Sequence, residues 1–251
     1  MRFLFAAMIF MLALTPDRFV SADVWVGGHG DIGVGLTASN QLELHFHFEN
    51  DVNAANGGSI AAGEYAPSAI QIFVPGPSFG RPGGSQWDFL GAPDDRVWFL
   101  TPSIDAGKPF LGWGLEELDP SDWNGDLTWS LSSVVSAPAG SNFSVWKEEF
   151  GTPTPFFATS DGISAADVFK QTAGGHEHFF VGFTREGLYQ IELSIAGDHK
   201  TLGALTDSAV FTFAVGVPEP TSTALLGVAS LGLVARFVRR RKSKSAATIE
   251  A

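Results

Sequence analysis

The sequence predicts an all-β domain, an antiparallel β-sandwich with a long loop-rich insertion, set between an apolar N-terminal segment and an apolar C-terminal one. Three observations carry this reading. Period-two alternation recurs in short runs bounded by Gly, Pro, Asn and Asp clusters such as Asn56-Gly57-Gly58, Arg81-Pro82-Gly83-Gly84 and Pro138-Ala139-Gly140. Helical periodicity is confined to a hint of a short helix from Ile163 to Lys170. A chain of 251 residues with 45% apolar side chains, 12% of all residues being aromatic, can bury a sizeable core without disulfides, and it has no Cys.

Six runs read as strands. Residues 41–49 alternate without a break, with Leu42, Leu44, Phe46 and Phe48 on one face and Glu43, His45, His47 and Glu49 on the other. Ile70–Val74 is a strand ended by Pro75-Gly76-Pro77. Ser130–Val135 and Phe143–Trp146 are two more. Residues 188–195 alternate through Tyr189, Ile191, Leu193 and Ile195, and Val210–Val215 is the last strand. Residues 75–127, rich in Pro, Gly and Trp, form the expected insertion. This pattern of short strands is the immunoglobulin-like one.

The two ends differ from this body. Met1-Arg2, an apolar run from Phe3 to Leu14 and the small residues Val20 and Ala22 make residues 1–22 a signal peptide, with signal peptidase cutting after Ala22. At the other end Val217-Pro218-Glu219-Pro220 precedes an apolar segment, Thr221–Val238, and the basic cluster Arg239–Lys244. The apolar segment reads as a transmembrane helix, with Arg236 snorkelling and the basic cluster held in the cytoplasm. The expected organisation is therefore 1–22 signal peptide, 23–216 surface domain, 217–244 sorting signal and 245–251 tail. The tripartite tail resembles the PEP-CTERM sorting signal of bacterial surface proteins. That resemblance implies an exosortase as partner, processing near the motif, and a place at the cell envelope or outside it, with membrane anchoring through the C-terminal helix before processing.

Between the ends, 7 Lys and Arg face 24 Asp and Glu, a net charge of −17. Such a domain repels nucleic-acid phosphates and attracts cations. No Gly-x-Ser-x-Gly, phosphate-binding loop, dinucleotide fingerprint or His-Glu-x-x-His occurs, so the domain is expected not to be an enzyme. Glu116-Glu117 and Glu148-Glu149 read as solvated surface, since neighbours on a strand point opposite ways. Asp122-Trp-Asn-Gly-Asp126 is at best a loose calcium loop. Trp87, Trp98, Trp113 and Trp123 read as staples for the loop-rich stretch, the alternative being a sugar-stacking surface.

The histidines are the candidate site. His29 with Asp31, His45 with His47, and His176 with His178 each have i, i+2 spacing, which puts both side chains on one face of a strand. Adjoining strands of this kind would surround a divalent transition metal, zinc foremost and calcium behind it. The sixth histidine, His199, is expected in a solvated turn. Gly175-His-Glu-His-Phe-Phe-Val-Gly-Phe-Thr-Arg-Glu-Gly-Leu-Tyr resembles the signature of the choice-of-anchor M domain, with Val181 where that family has Trp. Gly28-His-Gly-Asp, Phe110-Leu-Gly-Trp-Gly and Phe150–Gly162 resemble its other blocks in the same order. The resemblance implies an exported β-rich domain associated with metal transporters, and it places His29, Asp31, His176 and His178 in the matching motifs. The alternative is a structural, adhesive or carbohydrate-binding component contacting exopolysaccharide.

Overall fold

The computed structural model describes residues 22–76 and 78–216. The predicted signal helix, the Val217–Pro220 motif, the transmembrane helix and the tail after Lys244 lie outside the described residues. Among the described residues no helix is long and apolar enough to cross a membrane.

The strands are, in chain order, β1 (Asp23–Leu36), β2 (Leu42–Phe48), β3 (Val52–Ala54), β4 (Ser59–Ile60), β5 (Gly63–Tyr65), β6 (Ile70–Val74), β7 (Phe79–Gly80), β8 (Arg96–Leu100), β9 (Pro109–Gly114), β10 (Leu127–Ser136), β11 (Phe143–Glu149), β12 (Thr152–Ala158), β13 (Val168–Gln171), β14 (His176–His178), β15 (Phe180–Phe183), β16 (Gly187–His199) and β17 (Gly203–Val215). They form a twelve-stranded sheet and a five-stranded one. The all-β prediction holds, but the large sheet is mixed rather than purely antiparallel, because β1 runs parallel to both β6 and β9, and β17 parallel to β6. The five-stranded sheet, β12-β11-β15-β8-β7, is antiparallel throughout.

The two sheets share one core. Trp25, Phe46, Trp113, Trp129, Tyr189 and Phe213 from the large sheet meet Phe143, Phe157, Val181 and Phe183 from the small one. The aromatic pairs are mostly edge-on or tilted, as ring quadrupoles favour; Trp113 meets Trp129 at 85° and Phe169 at 90°. A minor core of Trp87, Leu90, Val97 and Trp146 lies apart from the main one.

Strand β1 is the hub of the large sheet. Its first half pairs with β6 and β3; its second half pairs with β9 and β2. The register shifts between Trp25 and Gly27, and Gly28 follows with a φ of +92°, a conformation that a side chain would strain. Beyond that pivot the chain builds a subsheet in the order β14-β9-β1-β2-β5. At the other end of the chain, β17 lies between β16 and β6. The Gly216 N–H then donates to the Val74 carbonyl at 2.8 Å.

Two local expectations are corrected. Ile163–Lys170 is not a helix: Asp167 accepts from the backbone N–H of Ser164 at 2.7 Å and of Ala158 at 2.8 Å, which locks a turn before β13. The stretch 75–127 is less of an insertion than expected, since it supplies β8 and the central strand β9.

Candidate metal centre

One register row of the subsheet reads His178, Gly112, Asp31, His47, Glu64 across five strands. The next row reads His176, Gly114, Gly33, His45. Paired residues share a sheet face, so all these side chains project from the same side. The opposite side carries Ile32, Val34, Phe46, Leu111 and Trp113 into the core. The period-two alternation therefore sorts chemistry from packing.

Glycines in the middle make room. A methyl group on Gly112 would sit 1.9 Å from Asp31 Oδ1 and 2.6 Å from His176 Nε2. With that space empty, His176 reaches over β9 to meet β1. His29 Nε2 lies 3.4 Å from His176 Nε2, and His176 Nε2 lies 3.0 Å from His178 Nε2. Asp31 Oδ1 is 3.4 Å from His29 Nε2 and 3.3 Å from His176 Nε2. A tetrahedral ion with bonds of about 2.0–2.2 Å holds its donors about 3.3–3.5 Å apart. Three of the six edges of such a tetrahedron are thus present, the His176–His178 separation being shorter, and the three imidazole nitrogens all lie within 4.8 Å of one another.

The hydrogen-bond partners fix where the lone pairs point. His178 Nδ1 is 2.9 Å from the Leu111 carbonyl, which can only accept, so Nδ1 carries the hydrogen and Nε2 is bare. His176 Nδ1 likewise donates to the Glu116 carboxylate, leaving its Nε2 bare. Asp31 Oδ1 is buried and has no hydrogen-bond partner. The lone pairs of His176 and His178 Nε2 thus face each other at 3.0 Å beside this oxygen, an arrangement that a cation relieves.

The electrostatics agree. Burial, with His176 nearby, holds His29 below the ordinary imidazole range. Burial pushes His178 down to about 4, against its hydrogen bond to Leu111. Burial raises Asp31 to about 7, opposed by His176 and reinforced by Glu116. Phe110 stacks flat on His178 at 3.8 Å between ring centroids and closes that flank.

The structure does not gather all six candidate ligands at one point. His29, His176 and His178 form one set, and Asp31 joins it through His29 and His176. His45 and His47 form another with Glu117 and Glu64. Glu116 and Glu117 are exposed, as expected, and their carboxylates also reach the two sets. They lie in a turn after β9, where neighbouring side chains need not oppose each other. Glu64 is legible only from its pairing opposite His47. His199 is not a solvated turn residue: it ends β16, is buried, and meets Trp123 edge-on at 5.1 Å. Asp126 is bound by the Thr172 hydroxyl, and Asp198 accepts from the Asn124 amide, so the loose calcium loop is occupied internally. Trp87, Trp113 and Trp123 are buried and Trp98 is half-buried.

Comparison with known proteins places the chain's end. Residues 216–242 match the PEP-CTERM protein-sorting motif, two residues short of the expected limit at 244. The motif marks an exported cell-surface protein handled by an exosortase-type sorting enzyme. No curated protein and no solved structure matches the chain.

Proposed function

We propose that this exported surface protein binds a divalent transition metal, zinc foremost, through His29, Asp31, His176 and His178, and that it is not an enzyme. The observation that carries the reading is the convergence of three imidazole nitrogens, with a buried, partnerless carboxylate oxygen beside two of them. Three imidazoles and one carboxylate would supply the four donors of a closed zinc shell, which would suit retention of an ion rather than activation of a bound water. Glu116 and the Leu111 carbonyl orient His176 and His178 from outside that shell. The net charge of the domain draws cations towards it. The resemblance of residues 28–216 to the choice-of-anchor M domain supports the same reading, with a metal transporter as a partner. Removal of the signal peptide after Ala22 and transient anchoring through residues 221–238 belong to this proposal.

A second reading has its own observation. An apolar hollow of about 240 Å³ beside the small sheet is lined by Phe79, Trp87, Phe99, Trp146 and Phe180. Aromatic faces of this kind suit sugar rings, which fits an adhesive or exopolysaccharide-binding role. Thermal unfolding of the chelator-stripped chain separates the two. Zn²⁺ raises the melting temperature if the first reading holds, and His176→Gln with His178→Gln removes most of that rise. A melting temperature unmoved by Zn²⁺, Mn²⁺ or Cu²⁺ defeats it.

A further inference from the structure

We propose that the same sheet face holds a second, weaker cation site, formed by His45, His47 and Glu117 with Glu64 at its rim, which takes a divalent first-row metal ion through mixed imidazole and carboxylate donors. The donor atoms of these four residues lie within 4.8 Å of one another. His45 Nδ1 is 3.2 Å from the Glu43 carbonyl, so with an ion on Nε2 the Nδ1 hydrogen has an acceptor. His45 Nε2 lies 2.8 Å from Glu117 Oε1, close enough for one ion to take both atoms as donors. His47 Nδ1 lies 3.3 Å from the same oxygen, buried and without a hydrogen-bond partner. Neighbouring donors of an octahedral ion with bonds of about 2.0–2.1 Å are about 2.9 Å apart, close to the shorter of these separations, and mixed nitrogen and oxygen donors suit ions from manganese to zinc.

The site is built as the first one is. Glycines on β1 leave the space: a methyl group on Gly33 would lie 2.9 Å from His45 Nε2, and one on Gly35 would lie 2.7 Å from Glu117 Oε2. The two sets share no residue, although Asp31 and His47 face each other across β1 and β2. A cavity of about 40 Å³ lined by Gly33, His47, Glu49, Gly114, Glu116 and Glu117 separates them. The second set has two imidazoles where the first has three, and both its carboxylates are exposed, which makes it the weaker.

Equilibrium dialysis of the untagged full chain in detergent, stripped with chelator and then held against Zn²⁺ or Mn²⁺, counts bound ions. Two ions per chain are expected. His47→Gln with Glu117→Gln should leave one, and His176→Gln with His178→Gln should also leave one. These residues are half-buried or exposed, and an unchanged melting temperature of each stripped variant shows that it folds. One ion in the parent, untouched by the His47/Glu117 pair, overturns the second site while sparing the first. One ion lost with that pair but kept in the His176/His178 variant upholds the second site and defeats the first. Loss of both ions of a two-ion parent in either variant overturns the division, and no binding by the parent defeats both.

Discussion

Gly112→Ala separates the room for an ion from the ligands that hold it. Residue 112 has no positive φ, so its backbone accepts alanine. The added carbon would lie 1.9 Å from Asp31 Oδ1, where side chains need at least 3.0 Å, so Asp31 must retreat by about 1 Å or more. Ligand distances tolerate about 0.2 Å, so the centre loses its carboxylate and about 100-fold or more in affinity. The stripped variant should fold: overpacking costs about 1–3 kcal/mol, and replacing a strand glycine returns about 0.5–1 kcal/mol. With free Zn²⁺ at about 100 times the dissociation constant, the parent gains about 2.7 kcal/mol. For a domain of this size that is a rise of about 5–11 °C in melting temperature. Differential scanning fluorimetry with and without Zn²⁺ should show that rise in the parent and a much smaller one in Gly112→Ala. Gly114→Ala, whose methyl would meet the end of the Glu116 side chain at 2.6 Å, should fall between them. A full zinc response in Gly112→Ala would refute the geometry.

Three more predictions follow from the same centre and from the tail. Asp31→Asn should raise the melting temperature of the metal-free protein at pH 8 and cut the zinc response, because it removes a buried charge along with a ligand; a metal-free variant less stable than the parent would count against this. Affinity should fall as pH drops from 8 to 5. With its pKa raised to about 7, Asp31 favours the metal-free fold fully below its ordinary value of 3.8, and that contribution is lost as pH rises through 7; His178, depressed to about 4, contributes fully above 6.5 and loses its share as pH falls towards 4. Near pH 6 an incoming ion must therefore displace a proton from Asp31 but none from His178, and calorimetry in two buffers of different ionisation enthalpy should report that release. Replacing Pro218, Glu219 and Pro220 by alanines should block sorting, read as an uncut chain by mass spectrometry of the envelope fraction.

The residues that carry chemistry were legible, because i, i+2 spacing is a local property of strands. Their grouping was not, since His29 and His176 are 147 residues apart and meet only through the pairing of β1, β9 and β14. Strand β1 is not among the six alternating runs because its glycines lower strand propensity. Here they are required: a methyl on Gly30 would lie 2.3 Å from the Phe48 ring. The missed signal is Gly-x-Gly around an apolar residue, as in Gly33-Val34-Gly35 and Gly112-Trp113-Gly114, which marks a strand with one face deliberately bare. The reach of Glu116 and Glu117 to the histidines is not legible from strand alternation, because both lie in a turn.

The position of β17 bears on the order of events outside the cell. It is the last strand of the body, yet it joins β10 and β16 on one side to β6, β1 and β2 on the other. Until residues 203–215 arrive, the large sheet remains two fragments. The sorting motif begins at residue 216, whose N–H makes the body's terminal bond to Val74. The peptide that carries the sorting signal is thus continuous with the keystone of the fold, and the two meet at residue 216.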